Sequence, residues 1–154
     1  MLGLDIAPES IVVTIQKELA DRIVAGPNSK EYGALSIWVQ SQSQAELIRV
    51  MPPTAFWPRP KVQSAIIRID LDRERRQRIP DLKFFHSFVR SIFLHRRKFL
   101  RSVLLAAFKH ELSKPDVDTL MDELGLSSDS RAEQLDVELV LALSEAVRGR
   151  LRAE

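Results

Sequence analysis

At 154 residues, with 45% hydrophobic and 29% charged side chains, the chain can bury the core of one ordinary domain or two small ones. The absence of cysteine excludes disulfides and thiolate chemistry, and no apolar run nears the roughly 18 residues of a membrane span. The opening MLGLDIAPES carries Asp5 and Glu9 where a secretory signal needs positive charge and then an apolar run, so a soluble cytoplasmic protein is expected.

The net charge of +2 hides an asymmetry. Residues 80–112 hold 7 bases and 2 acids, whereas residues 113–154 hold 5 bases and 10 acids. A cationic segment beside an anionic one points to a single polyanion-facing surface.

In chain order, IVVTIQ (11–16) is a β-branched run short enough for a buried strand. In QKELADRIVA (16–25), Leu19, Ala20, Ile23 and Val24 share one helical face and Glu18 and Arg22 form an i,i+4 pair. Gly26 suits that helix's C-terminal cap, and Pro27 bars its continuation. ALSIWVQSQ (34–42) suits helix or strand, while AELIRVM (45–51) and VQSAIIRIDL (62–71) predict strands joined by a proline-rich loop. Strand, helix and further strands make an α/β sheet. The basic run RERRQRIP (73–80) marks a boundary, giving a sheet region over 1–72, a basic linker over 73–79 and a second domain over 80–154.

That second domain reads as all helix. Over residues 84–112 the apolar positions 85, 88, 89, 92, 99, 100, 103 and 107 follow a 3.6-residue period that calls for an apolar residue at 96. Position 96 is arginine. Either the helix breaks near His95–Lys98, the favoured outcome, or Arg96 is partly buried against an acid. PDVDTLMDELG (115–125) predicts a short helix with Pro115 at its first position and Gly125 at its end. SRAE (130–133) matches a capping box before an amphipathic helix over 136–151.

The five glycines form neither G-x-G-x-x-G nor a P-loop, and His86, His95 and His110 are too dispersed for a local metal motif. From its residues alone the chain has no visible catalytic centre. Two features remain. On a helical wheel Arg90, Arg97, Lys98 and Arg101 lie opposite the apolar stripe, where guanidinium groups can meet successive phosphates. A solvated helix face explains the same pattern, though the density of HRRKFLR weighs against it. In PPTAFWPRPKVQS (52–64), four prolines stiffen a loop bearing Phe56 and Trp57. The loop alone favours rings that plug the edge of the core over rings that stack on bases.

Four ordered stretches carry a resemblance: IQKELADRIVAGPNSKEYGALS (15–36), PPTAFWPRPKVQSAIIRI (52–69), FLHRRKFLRSVL (93–104) and LGLSSDSRAEQLDVE (124–138). Together they resemble the dimethyladenosine transferases of small-subunit ribosomal RNA. The related macrolide-resistance methylases fit less well around GPNSKEYG and the basic RRK run. The resemblance implies the C-terminal portion of a Rossmann-like methyltransferase sheet followed by a small helical rRNA-docking domain, and a helix over 34–42. It implies an enzyme that uses S-adenosylmethionine to dimethylate two adjacent adenines near the 3′ end of small-subunit rRNA, with immature small subunits as partners.

Residue by residue, the resemblance makes Phe56 the ring against the target adenine, framed by Pro52, Pro53, Pro58 and Pro60. It makes Arg96, Arg97 and Lys98 an RNA-facing motif, which Arg59, Lys61, Arg90 and Arg101 extend. Gln16, Lys17 and Glu18 match a motif of structural role. Gln63 stands where aspartate is common, and Trp57 is bulkier than usual. The glycine-rich cofactor loop, the ribose-binding acid and the N-L-P-Y motif are absent from the sequence, which is expected to open within the helix following N-L-P-Y. The isolated chain is therefore expected neither to bind S-adenosylmethionine tightly nor to methylate RNA, and to self-associate through an exposed sheet edge. A non-catalytic rRNA-binding module in ribosome assembly is the alternative, and an unrelated helical nucleic-acid binder a weaker one.

Overall fold

The computed structural model describes residues 8–153; the expected opening helix lies outside them. The chain divides into two compact units, one holding Lys30–Arg78 with the residues up to Gly26, the other Pro27–Ser29 with Ile79 onward.

In the first unit, β1 (Ser10–Gln16) runs into α1 (Lys17–Val24), then α2 (Ala34–Gln40), β2 (Ser43–Met51) and β3 (Ser64–Leu71). The order across the sheet is β1-β3-β2, with β3 antiparallel to both neighbours. Alternation explains the layer. Ile11, Val13 and Ile15 stand opposite Ile69, Ile67 and Ala65, and these pack with Ala20, Ile23 and Val39 of the helices. The other residues of β1, Val12 among them, face solvent. Among the described residues neither β1 nor β2 has a second neighbour in the sheet. A bulge between Leu47 and Arg49 leaves Ile48 half-exposed.

The segment over 34–42 is helical through Gln40, as the resemblance implies. Gly26 does not cap α1. Ala25 follows the helix in extended backbone, and Asn28 takes the left-handed conformation at φ 66°. A glycine turn is unnecessary because the Gln40 amide donates to the carbonyls of Ile23 and Ala25, both at 2.8 Å. The basic run is more than a connection, since Arg73–Gln77 form α3. There Arg75 Nη1 donates to the carbonyls of Gln40 (3.1 Å) and Ser43 (3.2 Å).

The second unit packs α4 (Leu82–Phe93), α5 (Leu100–Ala107), α6 (Lys114–Glu123) and α7 (Val137–Ala153). Asp81 caps α4 by accepting from the Phe84 N–H at 2.9 Å. Phe85, Phe88, Val89, Ile92 and Phe93 form its buried face. Ser113 and Asp116 cap α6 reciprocally, Pro115 stands one place later than expected, and Gly125 closes the end at φ 64°. Ser130 caps nothing. Residues Ala132–Gln134 form a single tight turn, and the side chain of Asp136 instead accepts from the Leu139 N–H at 2.8 Å, at the start of α7. Among the described residues no helix is long and apolar enough to cross a membrane.

Candidate nucleic-acid interface

The proline-rich loop joins β2 to β3 where Met51 pairs with Ser64. Proline has no N–H to give, so the prolines act here as acceptors: Ala55 N–H donates to Pro52 O (3.0 Å) and Phe56 N–H to Pro53 O (3.3 Å). Phe56 then leaves in extended backbone, φ −126° and ψ 150°. Its side chain is half-buried, but Trp57 is 96% exposed, so Trp57 is not the core plug the loop alone suggests. The Trp57–Pro58 peptide is cis. Arg59 and Lys61 follow, both exposed. The carbonyl of Gln63 accepts from the Lys17 N–H at 3.0 Å, tying the loop's end to the start of α1. That bond is made by backbone, so glutamine in place of aspartate leaves it unchanged. In the matched motif Lys17 also pairs with Asp21 and Glu18 with Arg22, both at 2.6 Å.

The basic cluster lies in the second unit. The helix breaks after Phe93, and both alternatives posed by Arg96 hold together. Residues 94–99 turn, with Lys98 N–H donating to His95 O at 2.8 Å. Arg96 is 23% exposed, with Nε 3.7 Å from Glu133 Oε2. The turn is pinned from downstream, because Leu100 N–H donates to Ser130 O (2.7 Å) and Glu133 N–H to Arg96 O (3.4 Å). Phe99 pairs with Arg131 in an isolated bridge, and the Arg131 guanidinium sits 5.6 Å from the ring centroid.

This geometry sorts the candidate cations. Arg90 is exposed on the last turn of α4, whose C-terminal dipole favours a positive charge. Arg97 and Lys98 are exposed but lie in the turn, so the helical wheel does not place them. Arg101 donates through Nε and Nη2 to Asp118, at 2.5 and 2.8 Å. Arg96 and Arg101 thus each have a protein carboxylate as partner, an arrangement thirty-seven and seventeen residues of separation hid from local pattern. Arg131 is a cation the sequence reasoning missed, because SRAE suggested only a cap.

Hydrogen bonding to Arg101, aided by its charge, holds the Asp118 carboxyl below its ordinary value and raises Arg101. For an acid depressed on folding, the stabilisation is present above the unfolded value near pH 3.9 and fades as pH falls through the lower folded one. Asp118→Asn is therefore expected to lower the melting temperature at pH 7 while matching the parent in strong acid. Equal melting temperatures at pH 7 would show the pair contributes nothing.

The ribosomal RNA adenine dimethylase model matches residues 2–148. Ribosomal RNA small subunit methyltransferase A of Halothermothrix orenii is 40% identical over 147 residues, covering 96% of this chain and 49% of that protein. The chain spans about half the length of the curated relatives it matches. Among solved structures, a dimethyladenosine transferase from Plasmodium falciparum superposes with TM-score 0.81 at 20% identity, over 92% of this chain and 58% of that one. The 23S rRNA methyltransferase ErmE gives TM-score 0.58 at 19% identity, over 91% of this chain and 55% of that one. Those two likenesses bear on fold, and they agree with the C-terminal part of a methyltransferase sheet followed by helices. With the match running nearly end to end, the chain belongs to the ribosomal RNA adenine dimethylase family.

Proposed function

We propose that this chain is the RNA-gripping part of an S-adenosylmethionine-dependent methyltransferase that dimethylates two adjacent adenines near the 3′ end of small-subunit rRNA. The observation that carries this is the 40% identity to a small-subunit rRNA methyltransferase across 96% of the chain. In this reading Phe56 packs on the target adenine, and a stacked base gains about 1–3 kcal/mol. A loop already stiffened by proline spends little entropy in holding the ring there. Methyl transfer needs the amine lone pair aimed at the methyl donor, so orientation is the loop's contribution. Arg97 and Lys98 meet phosphates, joined by Arg90, Arg59 and Lys61.

The described residues do not fit the cofactor. Nucleotide sites of this fold class use a glycine-rich turn between strand and helix. Here β1 passes directly into α1 at Gln16–Lys17 and β3 passes into α3 through Asp72 alone, with no glycine at either strand-to-helix junction. The proposal accordingly gives this chain no cofactor contact of its own.

The test pairs two measurements on the 154-residue chain. Filter retention with a small-subunit rRNA 3′-end fragment is expected to show salt-sensitive binding, and calorimetry with S-adenosylmethionine no binding in the micromolar range. No RNA retention would sink the RNA-gripping role. Micromolar cofactor binding would overturn the division of labour.

A further inference from the structure

Trp57 is more exposed than any other large hydrophobic side chain described, at 96% against 74% for the next, Leu94. A nearly fully solvated indole is unusual, because it forgoes the burial that normally fixes tryptophan in place. Its surroundings are equally one-sided. Residues 52–63 contain no acid, and Arg59 and Lys61, two and four places after Trp57 in the chain, are exposed. An exposed ring followed closely in the chain by two exposed cations, on a loop that Pro58 and Pro60 hold stiff, complements a polyanion whose units carry flat apolar faces. In extended backbone successive side chains point to opposite sides. Phe56 is extended and half-buried while Trp57 is out in solvent, so the two rings do not clamp one base between them.

We infer that Trp57 is a second stacking platform, receiving an unpaired RNA base that neighbours the one packed on Phe56. Arg59 and Lys61 hold the phosphates on either side of that nucleotide. The inference rests on the RNA-gripping role proposed above and adds to it a nucleotide position beside the target. It makes Trp57 a determinant of single-stranded context, since a base held in a duplex presents no free face.

The test uses the full chain and short single-stranded oligoribonucleotides. Trp38 is the other tryptophan, so the contribution of Trp57 is the difference between the parent and Trp57→Phe. The RNA is expected to quench parent emission, with the quench absent in Trp57→Phe. Trp57→Ala is expected to weaken binding about tenfold, while Trp57→Phe, which keeps a stacking face, stays within about threefold. An oligonucleotide with one abasic site at the stacked position should bind parent and Trp57→Ala alike.

Binding of RNA with unchanged Trp57 emission and equal affinity for Trp57→Ala overturns the stacking while leaving the RNA-gripping role intact. No RNA binding by the parent overturns both. Trp57 emission already shifted to short wavelength before RNA is added, with a dimer by light scattering, assigns the ring to a second copy of the chain and overturns the inference.

Discussion

Replacing Arg97 and Lys98 together by alanine is expected to weaken binding to a single-stranded rRNA segment about tenfold near 0.15 M salt. On a single strand, each phosphate left without its cation takes about 0.7 off the slope of log affinity against log salt, so the double substitution should flatten it by about 1.4. Both side chains are exposed in the turn between α4 and α5, and stability should change by no more than about 0.5 kcal/mol. Arg96 should behave differently. It faces Glu133 at 3.7 Å and is only 23% exposed. Arg96→Ala is expected to cost about 1 kcal/mol of folding free energy and to change the salt slope less than the double variant does. Unchanged affinity and slope in the double variant would remove this turn from the interface.

The largest loss of stability is expected from Phe88→Ala, at about 3–5 kcal/mol by chemical denaturation followed by circular dichroism. Phe88 is 1% exposed and lies between two other rings, Phe84 at 6.2 Å and Phe108 at 6.0 Å between centroids. Truncation leaves a cavity in the centre of a small helical unit and removes the packing against both rings. Such a loss approaches the whole stability of many domains of this size. A cost below about 1 kcal/mol would mean that the unit collapses around the vacated space.

Where the sequence was informative, residue type and helical periodicity carried the information. The β-branched run IVVTIQ declared a strand, although one face of it is solvated where a buried strand was expected, and Phe85, Phe88, Val89 and Ile92 declared a helix face by their 3.6-residue spacing. Arg96 marked its break because it violated that spacing. The details that escaped depend on partners remote in the chain. Nothing near Arg101 announces Asp118, and nothing near Phe99 announces Arg131. Ser130 has the local chemistry of a helix cap, but its segment is engaged with the turn before α5, and Asp136 takes over. Gly26 fails as a cap for the same reason, since Gln40 from the next helix supplies the bonds. The exposure of Trp57 was hidden altogether, because a proline-framed aromatic has the same local sequence whether it faces core or water. The roles of Phe56 and the basic turn were suggested by resemblance to a family, not by any pattern internal to the chain.

The peptide passes between the two compact units three times, after Gly26, after Ser29 and after Arg78. The excursion is only Pro27–Ser29, yet it contributes a structural bond: Asn28, in its left-handed conformation, donates its N–H to the Glu133 carbonyl at 2.8 Å. Glu133 is also the residue that faces Arg96. The helical unit is thus stitched through by three residues encoded some fifty positions upstream of its main body. A protease nick after Arg78 leaves the stitch in place, whereas a polypeptide begun at Ile79 lacks it and leaves that carbonyl without its donor. A cut of the chain at Arg78 therefore does not separate two self-contained cassettes.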